Sequence, residues 1–459
     1  MGGRHTRHAH VVSPFVTWRS PWEHRTLRGM SDVSLAGDVF QTIEGVWKNE
    51  SGRLIAGIAR VTSDIGIAEE LAQDAFVSAL EQWPEQGIPE NPGAWLMKAA
   101  KWRAIDSLRR AQNLAPKHEE ITRELEAQQQ RLGEEIEHSV DQVTDDDILR
   151  LLFTACHPVL AIEGRIALTL RILGGLSTTE IARAFLIPEK TMGQRITRAK
   201  KTLSDANVPF ETPRGEELRE RVESVLLVIY LIFNEGYTAT SGEEWSRAAL
   251  VEEALRLGRM LVKLIPEEPE THALMALMEL NGSRSAARRG VNGEAILLPD
   301  QDCTLWDRTQ IQRGLAALDQ AQRLGGSARP YALQAAIAAC HARALKVEDT
   351  DWQRIIALYD MLLKIKPSPI VALNRAVAVS MADGPAAGLA AVDTIDGLSD
   401  YHLRPSVRGE MLMKLGRSAE AREELQRAIS LTDNVREKQL LTGKLNRTRA
   451  KNVPQSHAE

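Results

Sequence analysis

Apolar residues recur at helical spacing through almost the whole chain, and this periodicity constrains the fold more than any other feature of the sequence. Runs in which apolar and polar residues alternate, as they do in half-buried strands, are nearly absent. Glycine and proline mostly fall between the helical runs, where turns are expected. A chain of 459 residues is long enough for roughly two to four domains. The sequence therefore predicts an all-α protein with several domains.

Charge, cysteine content and motif content exclude several classes of protein. The formal net charge is −5, so any surface that binds nucleic acid must be local. Cys156, Cys303 and Cys340 are too few and too far apart for a disulfide framework, which indicates a reducing, cytoplasmic compartment. No apolar run reaches the length of a membrane span, and no secretory signal is recognisable. The sequence also has no nucleotide-binding glycine loop, nucleophile motif or metal-ligand spacing, so we predict no catalytic residue, no metal site and no cofactor.

The stretch LSTTEIARAFLIPEKTMGQRITRAKKTL at 176–203 predicts two short helices joined by a tight turn. Ser177 and Glu180 have the spacing of a capping box, in which a hydroxyl and a carboxylate each accept a hydrogen bond from a free backbone N–H at a helix start. Pro188 suits the first turn of the second helix, because its fixed φ and missing N–H cost nothing there. The apolar face of this second helix comprises Met192, Ile196, Ala199 and Leu203.

The opposite face of the second helix is basic and polar. A helix that enters the major groove of DNA requires such donors for phosphates and base edges, with an apolar face behind them. The alternative is an ordinary amphipathic hairpin whose basic face is solvated. The residues of the polar face are Lys190, Thr191, Gln194, Arg195, Arg198 and Lys201.

Two further segments precede this one. In the helical pattern at 67–83, Leu71, Ala75, Val77 and Leu80 are expected to face a core, and Glu69, Glu70, Gln73 and Asp74 form an acidic outer patch. The helical pattern at 92–110 places Trp95 and Trp102 among cations. Such a mixture suits a nucleic-acid strand with unstacked bases, although both tryptophans could instead be core residues. The cations of this segment are Lys98, Lys101, Arg103, Arg109 and Arg110.

The rest of the chain divides by composition and period. Segments 375–395 and 409–429 align with an offset of 34 residues, which is typical of stacked tetratricopeptide-like helix pairs. The predicted parts are a disordered basic tail at 1–34 with a possible true start at Met30, a helical domain at 35–111, a flexible acidic linker at 112–144, a helix-turn-helix domain at 145–206, a repeat domain at 214–447 and a tail at 448–459.

Three polar clusters have both a functional and a structural interpretation. Cys156 and His157 are adjacent and so do not share a helix face, which favours a packing role over a metal or catalytic one. The other two clusters are the motif Asn-Glu-Gly-Tyr at 234–237 and the carboxylates Asp300, Asp302 and Asp307, which do not follow the spacing of a calcium loop. We expect helix capping or contacts between helices there, with a ligand or partner site as the alternative.

In their order and spacing, these segments resemble bacterial sigma factors of the sigma-70 family, extracytoplasmic-function type, over residues 38–205. Segment 68–83 is similar to the family's polymerase-binding helix, and 91–110 to the helix that melts and reads the −10 element. Segment 176–203 is similar to its −35-binding helix-turn-helix. The remainder resembles a subgroup with a tetratricopeptide-like C-terminal domain, through the NEGY, DQDxxLWDR and PSPIVALNRAVAV motifs.

The resemblance implies partners and a role for each set of residues. The partners would be the polymerase core, at its β′ coiled coil and β flap region, and promoter DNA, without a membrane. The polymerase would contact Glu69, Glu70, Gln73 and Asp74. The −10 strand would contact Lys98, Lys101, Trp102, Arg103, Arg109 and Arg110. The −35 major groove would receive Thr191, Gln194, Arg195 and Arg198, with Lys190, Lys200 and Lys201 nearer the phosphates.

The leading hypothesis is therefore a promoter-specificity factor that performs no chemistry itself. Its repeat domain would regulate it in cis and offer a surface for a protein or peptide. The alternative is a stand-alone helix-turn-helix regulator that senses a ligand or partner through the repeats. The tryptophan-containing basic segment at 91–110 favours the sigma factor, because a simple repressor does not need it.

Overall fold

The all-α prediction is confirmed, since every regular element that the structure describes is helical. The structure is a computed structural model. It describes residues 33–100, 103, 143–185, 187–238, 244–288, 296, 298–344, 346–432 and 435–450. Among these residues, no helix is both long enough and apolar enough to cross a membrane.

The described residues of the first domain form the helices α1 Val33–Thr62, α2 Ile65–Gln86 and α3 at 92–100. The Asp64 side chain begins α2 by accepting a hydrogen bond from the backbone N–H of Gly66 at 2.7 Å, which satisfies a donor that has no partner within the helix. Trp83 is fully buried and meets Trp95 of α3 edge to face, with ring centroids 5.2 Å apart. Trp95 is thus a packing residue, as one of the two sequence interpretations held.

The second domain contains α4 Asp145–Ala155, α5 Ile162–Ile172, α6 Thr178–Ala184 and α7 Glu189–Asp205. The predicted capping box is present at the start of α6. There Glu180 N–H donates to Ser177 Oγ at 3.1 Å, and Ser177 N–H donates to Glu180 Oε2 at 2.7 Å. Pro188 differs slightly from expectation. Its ψ of 139° is extended, so it is the N-cap of α7 and lies just outside the first turn.

The C-terminal part is a succession of helices. They are α8 Gly215–Thr238, α9 Glu244–Leu264, α10 Pro269–Gly282, α11 Arg308–Arg323, α12 Pro330–Arg343, α13 Trp352–Ile365, α14 Pro369–Ala382, α15 Pro385–Asp393, α16 Leu403–Lys414, α17 Ser418–Ser430 and α18 Val435–Ala450. From α12 onward each helix packs on the next. This arrangement is consistent with a tetratricopeptide-like array.

An ion pair recurs between neighbouring helices of this array. Arg375 of α14 pairs with Asp360 of α13 at 2.6 Å, and Arg408 of α16 pairs with Asp393 of α15 at 2.8 Å. Both partners shift by 33 residues from one pair to the next. The contacts between helices therefore also repeat, with a period one residue shorter than the offset of 34 aligned in the sequence.

One continuous apolar core joins the first domain, the second domain and the beginning of the C-terminal part. It contains Ile55 of α1, Phe153 of α4, Ile229 of α8 and Leu257 of α9, all at 0 % exposure. The three parts thus form a single packed body.

The turn that follows α5 lies where these three parts meet. Gly175 has φ of +64°, which favours glycine, and a Cβ there would lie 2.8 Å from Ser51 Oγ and 3.1 Å from the Lys48 Cα. A Cβ on Gly174 would lie 3.0 Å from Glu253 Oε1 of α9. The absence of side chains at this turn allows α1 and α9 to approach the second domain closely.

Candidate polymerase and nucleic-acid interfaces

Helix α7 has the two faces that the sequence predicted. Met192, Ile196, Ala199 and Leu203 are buried and fix the helix on its own domain. On the other face Lys190, Gln194, Arg198 and Lys201 are exposed, and Thr191 and Arg195 are half-buried. This face presents amide and guanidinium donors to solvent on a rigid helix, which is an arrangement suited to base edges and phosphates.

Lys200 is also on α7 but points elsewhere. Its Nζ contacts Glu69 Oε2 of α2, and the Lys200 side chain is 20 % exposed. The resemblance placed Lys200 near DNA phosphates. In this conformation its charge is instead directed at the first domain.

Glu69 is buried between the two domains. Its side chain is 1 % exposed, and Arg171 Nε of α5 lies 2.6 Å from its Oε1. The Gln73 amide contacts the same oxygen. Burial alone would raise the pKa of Glu69, but Lys200 and Arg171 outweigh it and hold the pKa below the usual value. The carboxylate is therefore charged, with cations of the second domain on two sides.

The prediction that Glu69 belongs to an exposed acidic face is wrong for this conformation. Glu70 and Asp74 are exposed and Gln73 is half-buried, as an outer patch requires. Glu69 was predicted to face solvent because, on α2 alone, it lies outside the apolar positions of the helix. The second domain covers that side.

The candidate −10 segment lies partly within the described residues. Lys98 is exposed on α3, whereas Leu96 and Met97 beside it are buried. Arg103 is exposed and donates from Nη2 to Ser78 Oγ at 3.1 Å. The predictions for Lys101, Trp102, Arg109 and Arg110 lie outside the described residues.

The turn that contains Cys156 and His157 packs against α8 and accepts hydrogen bonds from it. Ser224 Oγ donates to the Cys156 carbonyl at 2.5 Å, and Arg221 donates to the Phe153 carbonyl at 3.1 Å. Burial raises the pKa of the Cys156 thiol to about 12, so the thiol stays protonated. Burial, with Arg221 second, lowers the pKa of His157 to about 4. These groups serve packing between the second domain and the C-terminal part.

Sequence reasoning missed the arginines that join the parts. Arg171 bonds Glu69, Arg221 reaches the second domain from α8, and Arg256 of α9 donates to the Leu173 carbonyl at 2.5 Å. One signal was available for Arg171, which stands alone in the apolar run IALTLRILGG. A lone cation on an apolar helix usually marks a buried pair, because charged side chains are rarely buried without a partner.

The polar clusters of the C-terminal part combine around Arg284 and Arg288. Arg284 Nη2 donates to the Tyr237 hydroxyl at 3.3 Å, and the Arg288 Cζ lies 3.7 Å from the centre of the Tyr237 ring. Arg284 also lies near Trp306, with its Cζ 5.9 Å from the ring centre. The Asn-Glu-Gly-Tyr motif therefore neighbours the Leu-Trp-Asp-Arg motif.

Two of the three carboxylates in the second cluster, those of Asp302 and Asp307, act as helix caps. Asp302 accepts from Thr304 N–H at 2.9 Å, and Asp307 accepts from Gln310 N–H at 2.9 Å. Within the described ranges, no three side chains of the ligating types come together as a metal site would require.

Comparison with known families identifies two sigma-70 regions in the chain. Residues 49–114 match the family described as Sigma-70 region 2, and residues 150–203 match Sigma-70, region 4. Residues 221–322 match a family of unknown function, DUF6596. An uncharacterized protein of Rhizobium meliloti (strain 1021) is 45 % identical over 385 residues, which cover 83 % of this chain and 90 % of that protein. The two sigma-70 regions contain α2 and α7, and the third match begins on α8, so the chain belongs to the sigma-70 family, as an extracytoplasmic-function-like factor with a C-terminal extension.

Proposed function

We propose that the protein directs the RNA polymerase core to specific promoters and that its C-terminal domain regulates this activity in cis. The observation that carries the proposal is the presence of regions 2 and 4 on one chain, with the polar face of α7 open to solvent. The protein would act in the cytoplasm and would perform no chemistry of its own. It would place the polymerase and capture the melted strand.

Base reading at the −35 element would belong to Thr191, Gln194, Arg195 and Arg198. These side chains lie on one side of α7, opposite the buried stripe. Lys190 and Lys201 flank them and would contact phosphates. Base contacts determine sequence preference, whereas phosphate contacts set position and salt dependence.

The −10 strand would be held by the basic end of the first domain. Lys98 is exposed on α3, and Arg103 is exposed beside α2. Lys101, Trp102, Arg109 and Arg110 would complete this surface, with cations along phosphates and the ring stacked on a base.

The polymerase would bind the acidic side of α2. Glu70 and Asp74 are exposed and available to a basic partner such as the β′ coiled coil. Gln73 lies between them and the buried Glu69. The β flap region would receive the second domain.

Regulation in cis is supported by the way the C-terminal part packs on the second domain. Arg221 and Ser224 bond main-chain carbonyls of that domain, and Lys263 of α9 pairs with Asp145 of α4 at 2.9 Å. A movement of the C-terminal part would therefore be transmitted directly to the domain that carries α7. The array of helices behind it would offer a concave surface to a protein or peptide.

The experiment that tests the sigma assignment is transcription in vitro with full-length protein, purified core polymerase and a genomic fragment library. We expect transcripts that begin at defined positions and share an upstream sequence element. A double variant Arg195→Ala/Arg198→Ala should lose these start sites. If the wild-type protein gives no specific starts and instead binds duplex DNA without polymerase, the stand-alone regulator is the correct function.

Regulation in cis is tested with a variant at the interface rather than by truncation. Arg221→Met removes the hydrogen bond to the Phe153 carbonyl, and Arg375→Met removes an ion pair far along the array as a matched control. Promoter output should change in the first variant and not in the second. Equal output and equal polymerase affinity in all three proteins would refute the regulatory role.

A further inference from the structure

The two sigma regions are packed against each other, which is incompatible with reading two promoter elements at once. The names of the −10 and −35 elements place their centres about 25 base pairs apart, or about 85 Å at 3.4 Å per base pair. The longest helix of the first domain, α1, has 30 residues and is therefore about 45 Å long. With Lys200 of α7 in contact with Glu69 of α2, the −35 reader cannot reach that far from the first domain.

Among the described residues, the ion pairs between the two domains keep a partner in contact with solvent, with one exception. Lys48 pairs with Glu180 at 3.2 Å and Arg60 pairs with Asp147 at 3.1 Å, and each pair keeps at least one partner a quarter or more exposed. Glu69 is the exception, since it is 1 % exposed and its cations come from the other domain. Separation of the domains therefore breaks both ion pairs and exposes this carboxylate to solvent.

We propose that Glu69, Arg171 and Lys200 form a latch that holds the sigma regions in a closed, inactive state, and that the polymerase core and DNA open it by competing for its members. The proposal rests on the sigma function argued above. Glu69 lies on the helix assigned to polymerase, and Lys200 lies on the helix assigned to DNA. Each would have one partner inside the protein and another in the transcription complex.

The competition has a definite thermodynamic form. Polymerase that needs Glu69 exposed binds only the open state, so its apparent dissociation constant is the intrinsic one divided by the open fraction. The same holds for DNA that needs Lys200. A change at Arg171 that weakens the latch therefore tightens the binding of polymerase without touching the polymerase-binding residues.

A disulfide lock tests the closed state. A Cβ built on Gly66 of α2 lies 3.8 Å from the Lys200 Cβ, which is the mean separation in disulfides. In a Cys303→Ser background, the double variant Gly66→Cys/Lys200→Cys should form this bond when treated with diamide. The oxidised protein should lose polymerase binding at least tenfold, and dithiothreitol should restore it. The two single variants, treated in the same way, should not respond.

Arg171→Gln tests the latch itself. Arg171 contacts Glu69 and the Leu176 carbonyl and has no assigned role toward polymerase or DNA. Arg323→Gln, which removes an exposed pair on α11, is the matched control. Spin labels on Glu85→Cys and Asp205→Cys report the distance between the domains, because both positions are exposed. We expect Arg171→Gln to add a longer distance and to tighten polymerase binding several-fold, and Arg323→Gln to do neither.

Three results would overturn the proposal: no disulfide in the double variant, an oxidised protein that binds polymerase as well as its reduced form, or distances unchanged by Arg171→Gln. Two of these measurements are made without polymerase. If the wild-type protein fails to bind polymerase at all, the proposed sigma function is wrong. Disulfide formation and the spin-label distances still test the latch in that case.

Discussion

Arg256 donates a hydrogen bond to the main-chain carbonyl of Leu173 at 2.5 Å and so connects α9 to the turn that ends α5. The same guanidinium holds Glu253 through bonds of 2.7 and 2.8 Å. The Glu253 side chain is 11 % exposed, and its burial raises its pKa. One arginine thus supports both a helix-end carbonyl and a buried carboxyl group.

Replacement of Arg256 by leucine should lower the free energy of unfolding by about 3 kcal/mol, because it leaves Glu253 buried without its cation. Urea denaturation followed by circular dichroism measures this difference. The double variant Glu253→Gln/Arg256→Leu should recover part of the loss, since it removes the uncompensated charge. A double variant that is no more stable than Arg256→Leu would contradict this explanation.

Substitution of Gly175 by alanine should destabilise the protein by about 2–4 kcal/mol. About 1 kcal/mol comes from the positive φ, and the rest from the clash with the buried Ser51 hydroxyl. Gly416→Ala is the control, since Gly416 has φ of +75° at the end of α16 and no atom within 4 Å of the added Cβ. The control variant measures the cost of the positive φ alone, so the difference between the two denaturation midpoints measures the steric cost. Equal losses of stability in the two variants would show that the Gly175 site is not crowded.

Substitutions of base-reading residues and of phosphate-contacting residues on α7 should affect DNA binding, and its dependence on salt, in different ways. Arg195→Ala or Arg198→Ala should cost about 1–3 kcal/mol in binding of the cognate promoter and reduce discrimination at one base position. Lys201→Ala should weaken binding to all sequences alike and reduce the slope of log K against log salt by about 1. Holoenzyme binding at several salt concentrations measures both. If Lys201→Ala changes sequence preference instead, the assignment of the two classes is wrong.

His341 should make the protein sensitive to mild acid. Burial, with Arg284 second, lowers the pKa of His341 to about 4, and its ring packs edge to face on Trp352. The unfolded chain takes up this proton near pH 6.5 and the folded one only near pH 4, so stability falls as pH decreases through that interval, by on the order of 3 kcal/mol. His341→Phe should flatten this part of the curve of unfolding free energy against pH. An unchanged curve would refute the assignment.

Local patterns were sufficient for the parts of the fold that depend on near neighbours. Ser177 and Glu180 are three residues apart, so their reciprocal cap could be predicted from spacing alone. The buried stripe of α7 follows equally from the helical period. Both features are decided by one helix and the domain beneath it.

Contacts between distant segments could not be predicted in this way. Arg171 is 102 residues from Glu69, and no periodicity in α2 shows that a second domain covers that carboxylate. The motifs that contain Tyr237 and Trp306 could likewise be recognised in the sequence. The contact of Arg284 with both of them could not be predicted. Charge pairing across domains depends on how the domains dock, and docking leaves no local repeat in the sequence.

The shared core has an evolutionary consequence. Val225, Ile229 and Leu257 of the extension fill the same apolar interior as Phe153 and Ile55 of the sigma regions. A stop codon after the helix-turn-helix would therefore expose an apolar face on the domain that remains, and such a face promotes aggregation. Loss of the extension in a single mutational step would therefore carry a cost in solubility for the part that remains.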